Sequence, residues 1–174
     1  MSANASQRVV GLIGCPASGK STMAASFLPS AGWTHLTLDD LRQALWPPHR
    51  QVYWQIRATG YDLAAQQVLH RLKEAALDLA LAQGFSVVMA DTHLTKPVFA
   101  RELEIIARHG ITVEWKLLDV PWDELVRRNR QRGLIDPAHR VTDEILAATY
   151  QALHAEDAWW RSLPSEQIEI IPCV

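Results

Sequence analysis

The sequence contains no apolar run long enough to cross a membrane as a helix. A span needs roughly 18 or more apolar residues in succession, and no segment of these 174 residues approaches that length. Residues 1–8 also lack a charged region followed by an apolar stretch, so they do not resemble a secretory signal. We therefore expect no membrane association.

Cysteine is scarce as well. There are two cysteines, Cys15 inside a glycine-rich segment and Cys173 near the end. A disulfide between them would lock a loop whose composition predicts that it must open for a ligand. A reducing compartment suits this pattern better, and we expect a cytoplasmic protein.

An excess of charge of one sign is absent too. The net charge is −2, so the chain has no global basic field for nucleic acid, although charge can still be concentrated locally. Hydrophobic residues make up 48% and charged residues 21%, as in an ordinary soluble domain. We expect a single domain over residues 1–174, with residues 1–7 flexible.

What the chain does contain is a regular alternation of short apolar strands and helices. The pattern predicts strands at residues 8–13, 35–38, 85–90, 112–118 and 167–171, and helices at residues 19–27, 40–45, 53–83, 96–109, 122–132 and 142–159. Strands this apolar indicate a parallel sheet covered on both faces, with ligands bound beyond the carboxyl ends of the strands. Four residues that follow predicted strands should converge there: Gly14, Asp39, Asp91 and Asp119.

The most specific motif follows the first strand. Gly14-x-x-x-x-Gly19-Lys20-Ser21 matches the Walker A pattern in the strand–loop–helix context that it requires. Backbone N–H groups of such a loop surround phosphates, Lys20 neutralises β- and γ-phosphate charge, and the Ser21 hydroxyl ligates Mg²⁺. The motif predicts binding of ATP or another nucleoside triphosphate by Gly14, Cys15, Pro16, Ala17, Ser18, Gly19, Lys20, Ser21 and Thr22, with Cys15 as a spacer.

An acid–arginine pair follows the second predicted strand. A kinase of hydroxyl groups needs a carboxylate to accept the leaving proton and a cation to fix the acceptor. Asp39 and Arg42 are three residues apart at a helix start, so both can face one cleft. We interpret Asp39 as catalytic and the neighbouring Asp40 as a structural first-turn acid.

Asp91 and Thr92 follow the strand at residues 85–90. An acid at this place can bind Mg²⁺ through water, orient the groups that hold the acceptor, or simply cap a helix. We assign Asp91 and Thr92 to the acceptor side.

Arginines are concentrated in the second half of the chain. Small P-loop kinases close a lid whose arginines stabilise charge on the transferred phosphoryl group. Arg128 and Arg132 are four residues apart and share a helix face, so we predict them in a lid over residues 128–141. Arg127 and Arg130 lie on other faces, where a solvated surface is the simpler interpretation.

Taken together, these segments resemble the kinase half of the bacteriophage polynucleotide kinase-phosphatase. The resemblance covers roughly residues 8–155 and rests on four segments in the same order, at residues 13–22, 39–43, 90–94 and 119–133. It implies a three-layer P-loop domain with sheet order 2-3-1-4-5, ATP and Mg²⁺ as cofactors, and transfer to the 5′-hydroxyl end of DNA or RNA. It also implies a bacterial or phage-infected host cell. We expect DNA rather than RNA as the substrate and no obligate protein partner.

The resemblance also implies residue roles. Asp39 matches the general base, and Arg42 matches the arginine that grips a phosphate of the acceptor. Lys20 and Ser21 match the nucleotide and metal residues, and Arg132 matches the lid arginine on the transferring phosphate. The remaining matches are Arg128, a nucleotide contact, and Asp91 with Thr92, near the acceptor.

The sequence departs from that family in several places, and the departures at Leu38 and residues 46–54 fall on the acceptor side. No Asp-x-Asp-x-Thr phosphatase motif is present, Leu38 stands where the family has a basic residue, and residues 46–54 have no clear match. Compact phage kinases of 5-hydroxymethyluracil in DNA are therefore an alternative, with Trp46, Tyr53 and Trp54 as candidate stacking residues for an extruded base. A small-molecule kinase and a nucleotide-dependent switch are further alternatives, although a switch would not need the Asp39–Arg42 pair.

Overall fold

The structure is a computed structural model, and it describes residues 7–45, 62–135 and 140–172. Two aromatic side chains assigned to the acceptor site, Trp46 and Trp54, lie outside the described residues, as does Tyr53. So do residues 136–139 of the expected lid.

A five-stranded parallel sheet forms the centre of the fold. Its order is β2-β3-β1-β4-β5, as predicted. The strands are β1 (Val9–Ile13), β2 (Trp33–Leu36), β3 (Ser86–Met89), β4 (Val113–Asp119) and β5 (Ile168–Pro172). Because β1 lies in the middle of the sheet, all five of its residues are buried, and the loop that follows it opens at the centre of the carboxyl edge.

Helices connect the strands and cover both faces of the sheet. They are α1 (Lys20–Ala25), α2 (Leu38–Leu45), α3 (Asp62–Ala82), α4 (Ala100–Arg108), α5 (Trp122–Ile135) and α6 (Asp143–His154), with 3-10 helices at Lys96–Phe99, Trp159–Ser162 and Ser165–Gln167. None of the helices in the described ranges is long and apolar enough to cross a membrane.

Successive residues of β1 point into two separate cores, as the pleat requires. Val9 and Ile13 join the larger cluster with Leu77 of α3 and Ile106 of α4. Val10 and Leu12 face the other side of the sheet, where Ala24 of α1 covers them. A strand buried on both faces explains why the sequence shows a continuous apolar run rather than an alternating one.

Element boundaries differ from the sequence-based expectation where β2 is followed by α2. The strand expected at residues 35–38 is β2, Trp33–Leu36, in register with β3. It ends at Leu36, and the hydroxyl of the next residue, Thr37, accepts a hydrogen bond from the Asp39 amide at 3.2 Å. This contact caps α2, which begins at Leu38 rather than at residue 40.

Helix α5 is longer than expected, and helix α6 is shorter. Gly133 does not end α5, which runs to Ile135; a Cβ atom at Gly133 would lie 2.8 Å from Arg140 Cδ, so the glycine makes room for that side chain. The helix expected at residues 142–159 ends at His154, since Ala155 is extended. That turn lets Trp159 Nε1 donate to the His93 carbonyl at 2.8 Å.

Candidate active site

The loop between β1 and α1 has the conformation of a phosphate-binding loop. Gly19 has φ +100°, a left-handed conformation that L side chains rarely adopt, and Ala17 also has positive φ. The Gly14 amide donates to the Thr92 carbonyl at 3.2 Å, and the Ser18 amide donates to the Cys15 carbonyl at 3.2 Å. The loop is therefore tied to its own turn and to the segment after β3.

Lys20, the first residue of α1, lies inside this loop. Its Nζ atom donates to the Gly14 carbonyl at 2.9 Å and to the Cys15 carbonyl at 2.7 Å. Burial lowers the pKa of Lys20 to about 8, because the charged ammonium has lost most of its water. Phosphate oxygens can replace these carbonyls as partners of the ammonium group with little further loss of hydration, because the group is already buried.

Cys15 is fully buried in the same loop. Burial raises the pKa of its thiol to about 11, so the thiolate is not populated at neutral pH. This agrees with the interpretation of Cys15 as a spacer.

Ser21 and Thr22 are exposed and border a cleft of about 1450 Å³ at the carboxyl edge of the sheet. The described residues contain no group of three or more His, Cys, Asp or Glu that could hold a metal by themselves. A hydroxyl ligand next to a phosphate-binding loop nevertheless suits Mg²⁺, which is usually bound by few protein ligands together with substrate phosphates and water.

The cleft brings most of the sequence-predicted residues together. Those that line it are Pro16, Ala17, Ser18, Gly19, Lys20, Ser21, Thr22, Asp39, Arg42, Asp91, Thr92, Arg128 and Arg132. The P-loop, the Asp39–Arg42 pair and two arginines of α5 thus share one space. Asp119 is not among these lining residues; it ends β4, and its carboxylate lies 3.5 Å from His154 Nε2.

The two acids at the start of α2 have different surroundings. Arg42 Nη1 lies 2.6 Å from Asp39 Oδ1, and both side chains border the cleft. Asp40 Oδ2 lies 3.2 Å from His35 Nδ1, and its side chain is mostly exposed. Both acids therefore border the cleft; Asp39 lies beside Arg42, whereas Asp40 contacts His35 of β2.

Asp91, just beyond β3, borders the cleft and is also hydrogen-bonded to the start of α2. Its Oδ1 atom accepts hydrogen bonds from the Thr37 hydroxyl at 3.1 Å and the Leu38 amide at 3.0 Å. Its Oδ2 atom lies 2.6 Å from Lys73 Nζ. Burial alone would raise the pKa of Asp91, but the charge of Lys73 is the chief cause that lowers this pKa to about 2. Both carboxylate oxygens are thus engaged within the protein, which favours the orienting role among those considered.

Lys73 is a residue that the sequence-based search missed. It is 1% exposed and also contacts Glu102 Oε2 of α4 at 2.6 Å. A signal was present in the sequence, because Lys73 lies at four-residue spacing within the buried stripe of α3, which otherwise comprises Ala65, Leu69, Leu77 and Leu81. A lysine in such a stripe must have buried partners.

The arginine-rich helix α5 divides its side chains between two surfaces. Arg128 and Arg132 border the cleft, whereas Arg127 and Arg130 are exposed and border a separate shallow groove. Glu124 accepts hydrogen bonds from Arg127 and Arg128, and these contacts lower the pKa of Glu124 to about 2. The placement follows the expectation from helical spacing.

Asn129, between those arginines, connects the two ends of the lid segment. Its Nδ2 atom donates to the Val141 carbonyl at 2.9 Å, and its Oδ1 atom accepts from the Val141 amide at 3.1 Å. Asn129 is 1% exposed. The sequence suggested only that residues 128–141 form a lid; the asparagine that joins α5 to the chain before α6 could be found only from the fold.

His93 is a second cleft residue that sequence analysis left out. Its Nδ1–H group donates to the Leu12 carbonyl at 2.7 Å, and its ring makes edge contacts with Phe99 and Trp115. Burial, assisted by the charge of Lys73, lowers the pKa of His93 to about 4, so the ring is neutral at physiological pH. Its role in the structure is to hold the segment after β3 against β1.

Solved structures of several proteins, kinases among them, share this fold. A protein of the Pnkp1/Rnl/Hen1 RNA repair complex matches with a TM-score of 0.63 and 19% identity over 84% of this chain. A sugar kinase from Janibacter sp. HTCC2649 matches with a TM-score of 0.62 and 18% identity, covering 96% of this chain and 86% of its own. The Mycobacterium tuberculosis APS kinase CysC, in complex with AMPPNP and APS, matches with a TM-score of 0.53 and 22% identity, covering 78% and 76%.

These similarities establish the fold and leave the substrate open, because all three identities are below 25%. The chain spans only 43% and 38% of the two RNA repair proteins that it matches. The family model AAA_33, described as an AAA domain, matches residues 9–155, which is most of the chain. The chain therefore belongs to this family, and its fold is that of a P-loop kinase.

Proposed function

We propose that this protein transfers the γ-phosphoryl group of ATP to a hydroxyl group on nucleic acid, with the 5′-hydroxyl end of DNA or RNA as the acceptor. One observation carries the proposal. A single cleft contains a P-loop lysine, Lys20, an acid–arginine pair, Asp39 and Arg42, and the lid arginines Arg128 and Arg132.

In this reaction, Asp39 accepts the proton of the acceptor hydroxyl. The oxygen of that hydroxyl bonds to the γ-phosphorus, and the bond between the γ-phosphorus and the β–γ bridging oxygen breaks. Lys20 and Arg132 stabilise the negative charge on the transferred group and on the departing diphosphate. Asp39 reaches this role only once the acceptor competes for Arg42, whose guanidinium now lies 2.6 Å from the carboxylate. Ser21 would hold Mg²⁺, which supplies further charge neutralisation at the β- and γ-phosphates.

The charges of the cleft support an acceptor that is itself anionic. Arg42 borders the acceptor side of the cleft, and the guanidinium of arginine suits phosphate because it can form two parallel hydrogen bonds. The volume of about 1450 Å³ exceeds the 300–1,000 Å³ of an ordinary single-ligand pocket, as expected of a site for two substrates. A phosphate flanking the reactive hydroxyl is a feature of nucleic-acid ends.

A small-molecule acceptor is the second candidate. The chain covers 86% of the Janibacter sugar kinase and 76% of the APS kinase, so a domain of this size is sufficient for small-molecule kinases. Phosphorylation of 5-hydroxymethyluracil within DNA is a third candidate, and its proposed stacking residues Trp46 and Trp54 lie outside the described residues.

Transfer of labelled phosphate from ATP to a panel of acceptors tests the proposal. The panel contains linear DNA and RNA with 5′-hydroxyl ends, closed circular DNA, closed circular DNA with 5-hydroxymethyluracil, and free nucleosides and sugars. An enzyme acting on ends labels only linear molecules. Asp39→Asn slows this labelling by about 10²–10⁴, while the neighbouring variant Asp40→Asn retains it.

Other outcomes identify the alternatives. Label only on the circle that contains 5-hydroxymethyluracil would replace the end-directed proposal with the base-directed one. Trp46→Ala or Trp54→Ala should then raise KM for that DNA strongly, because stacking a base is worth about 1–3 kcal/mol. Label on small alcohols alone would reject both nucleic-acid candidates.

A further inference from the structure

We infer that Lys73 is a positioning residue for phosphoryl transfer, acting through Asp91 to hold the start of α2 and thereby the base Asp39. The inference rests on the proposed role of Asp39 but not on the identity of the acceptor.

The contacts form a continuous chain from α3 to α2. Lys73 Nζ lies 2.6 Å from Asp91 Oδ2, and Asp91 Oδ1 accepts from the Leu38 amide at 3.0 Å and the Thr37 hydroxyl at 3.1 Å. The Thr37 hydroxyl in turn accepts from the Asp39 amide at 3.2 Å. Every link between the lysine and the base is thus a direct polar contact.

The burial of Lys73 makes a purely stabilising role a poor explanation. Removing an ammonium group from water is expensive, and apolar residues of similar size often replace buried ion pairs without loss of stability. Lys73 occupies a position where its stripe on α3 otherwise carries Leu69 and Leu77. Burial opposes its charge, but Asp91 and Glu102 outweigh burial and raise the pKa of Lys73, so the lysine remains charged.

Glu102 supplies the rest of the charge balance. It is 2% exposed on α4, and its Oε2 atom lies 2.6 Å from Lys73 Nζ. Burial raises the pKa of Glu102, whereas Asp91 remains ionised beside the same lysine. Of the two acids, only Asp91 contacts the start of α2 in the described structure, so the two pairings can be separated by mutation.

The test compares Glu102→Gln alone with Lys73→Met/Glu102→Gln. The double variant Lys73→Met/Glu102→Gln, called the Lys73 pair, is preferred to Lys73→Met alone. The single change would leave two buried carboxylates, those of Asp91 and Glu102, without their cation. Glu102→Gln retains the Lys73–Asp91 contact, so kcat should stay within about threefold of the unmodified protein. In the pair, displacement of the base should lower kcat by about 10- to 100-fold, with KM for ATP unchanged.

Hydrogen exchange at the Leu38 amide gives a readout that needs no acceptor. Exchange should accelerate in Lys73→Met/Glu102→Gln, which lacks the Lys73–Asp91 contact. It should also accelerate in Asp91→Asn, which removes the carboxylate partner of that contact. Exchange should not change in Glu102→Gln, which retains the contact. In the double variant Asp91→Asn/Glu102→Gln, adding Lys73→Met should change kcat little. The reason is that Asp91→Asn has already broken the Lys73–Asp91 contact through which Lys73 acts.

The possible failures are distinguishable. Unchanged Leu38 exchange in both Asp91→Asn and the Lys73 pair would overturn the inference, as would an equal loss of kcat in Glu102→Gln. If the unmodified protein labels no acceptor, the proposed function is wrong, while Leu38 exchange still decides whether Lys73 positions α2. If the pair does not fold, Asp91→Asn decides: wild-type exchange and kcat in that variant reject the inference.

Discussion

Arg42 Nη1 lies 2.6 Å from Asp39 Oδ1, one helical turn apart at the edge of the cleft. The cation that would bind the acceptor is therefore also a partner of the group that would deprotonate it. Under the proposed function, an anionic acceptor would compete for Arg42 and so change the surroundings of Asp39 on binding. This relationship makes the acid at position 39 the most informative place to test the reaction.

Asp39→Asn should lower kcat by about 10²–10⁴, the usual contribution of a positioned general base. The affinity for ATP should hardly change, because Asp39 lies at the acceptor side of the cleft. Steady-state kinetics and nucleotide titration measure the two effects, and Asp40→Asn, whose carboxylate contacts His35 instead, is the matched control. A larger loss in Asp40→Asn would reverse the assignment.

Lys20→Met should abolish transfer while the protein remains folded, since the lysine contributes a point charge at the phosphates. The variant keeps the length of the side chain but cannot bond the carbonyls of Gly14 and Cys15. Turnover is measured with the best acceptor, and folding is followed by thermal unfolding. Retention of more than about a tenth of the turnover would contradict the P-loop mechanism.

The affinity for ATP should depend on pH through Lys20. Its pKa is about 8 in the free protein, and phosphate charge raises it in the complex, so binding above pH 8 must take up a proton. The dissociation constant should therefore be flat just below pH 8 and rise above it, by up to about tenfold per pH unit. Calorimetric titration from pH 7 to 9.5 measures this, and a flat profile in Lys20→Met assigns the effect to the lysine.

Arg132→Ala should lower the rate of transfer by up to about 10³–10⁵, as expected of an arginine on a transferring phosphoryl group. Arg130→Ala, two residues away on the exposed face of the same helix, should be nearly silent. Single-turnover kinetics separates this loss from any effect on product release. Equal effects at the two positions would mean that α5 acts only as a diffuse basic surface.

Asn129→Ala should destabilise the protein by about 1–3 kcal/mol, because the amide and carbonyl of Val141 both lose a partner. Hydrogen exchange at the Val141 amide should accelerate, and denaturant unfolding gives the free energy. Arg130→Ala provides a surface control on the same helix, with a change within about 0.5 kcal/mol. Unaltered exchange at Val141 would show that the contact does not hold the lid segment.

The sequence alone determined the P-loop and the parallel sheet, because these depend on local patterns, and it predicted that Lys20, Asp39 and Arg132 lie near one edge of that sheet, where they line one cleft. The Walker A spacing fixes a strand, a loop and a helix start within a few residues, and four-residue spacing on α5 separates Arg128 and Arg132 from Arg127 and Arg130. The order of the strands followed from resemblance, and the structure has the same order.

Only the tertiary structure decided how the acceptor side is held together. Lys73, Asp91 and Glu102 lie far apart in the chain and meet because α3 and α4 pack beside the end of β3. The same holds for Asn129 and Val141, and for Thr37, whose hydroxyl caps α2 and donates to Asp91. A sequence pattern reports which face of an element is buried, but a buried polar group is explained only by partners that another element brings within hydrogen-bonding distance.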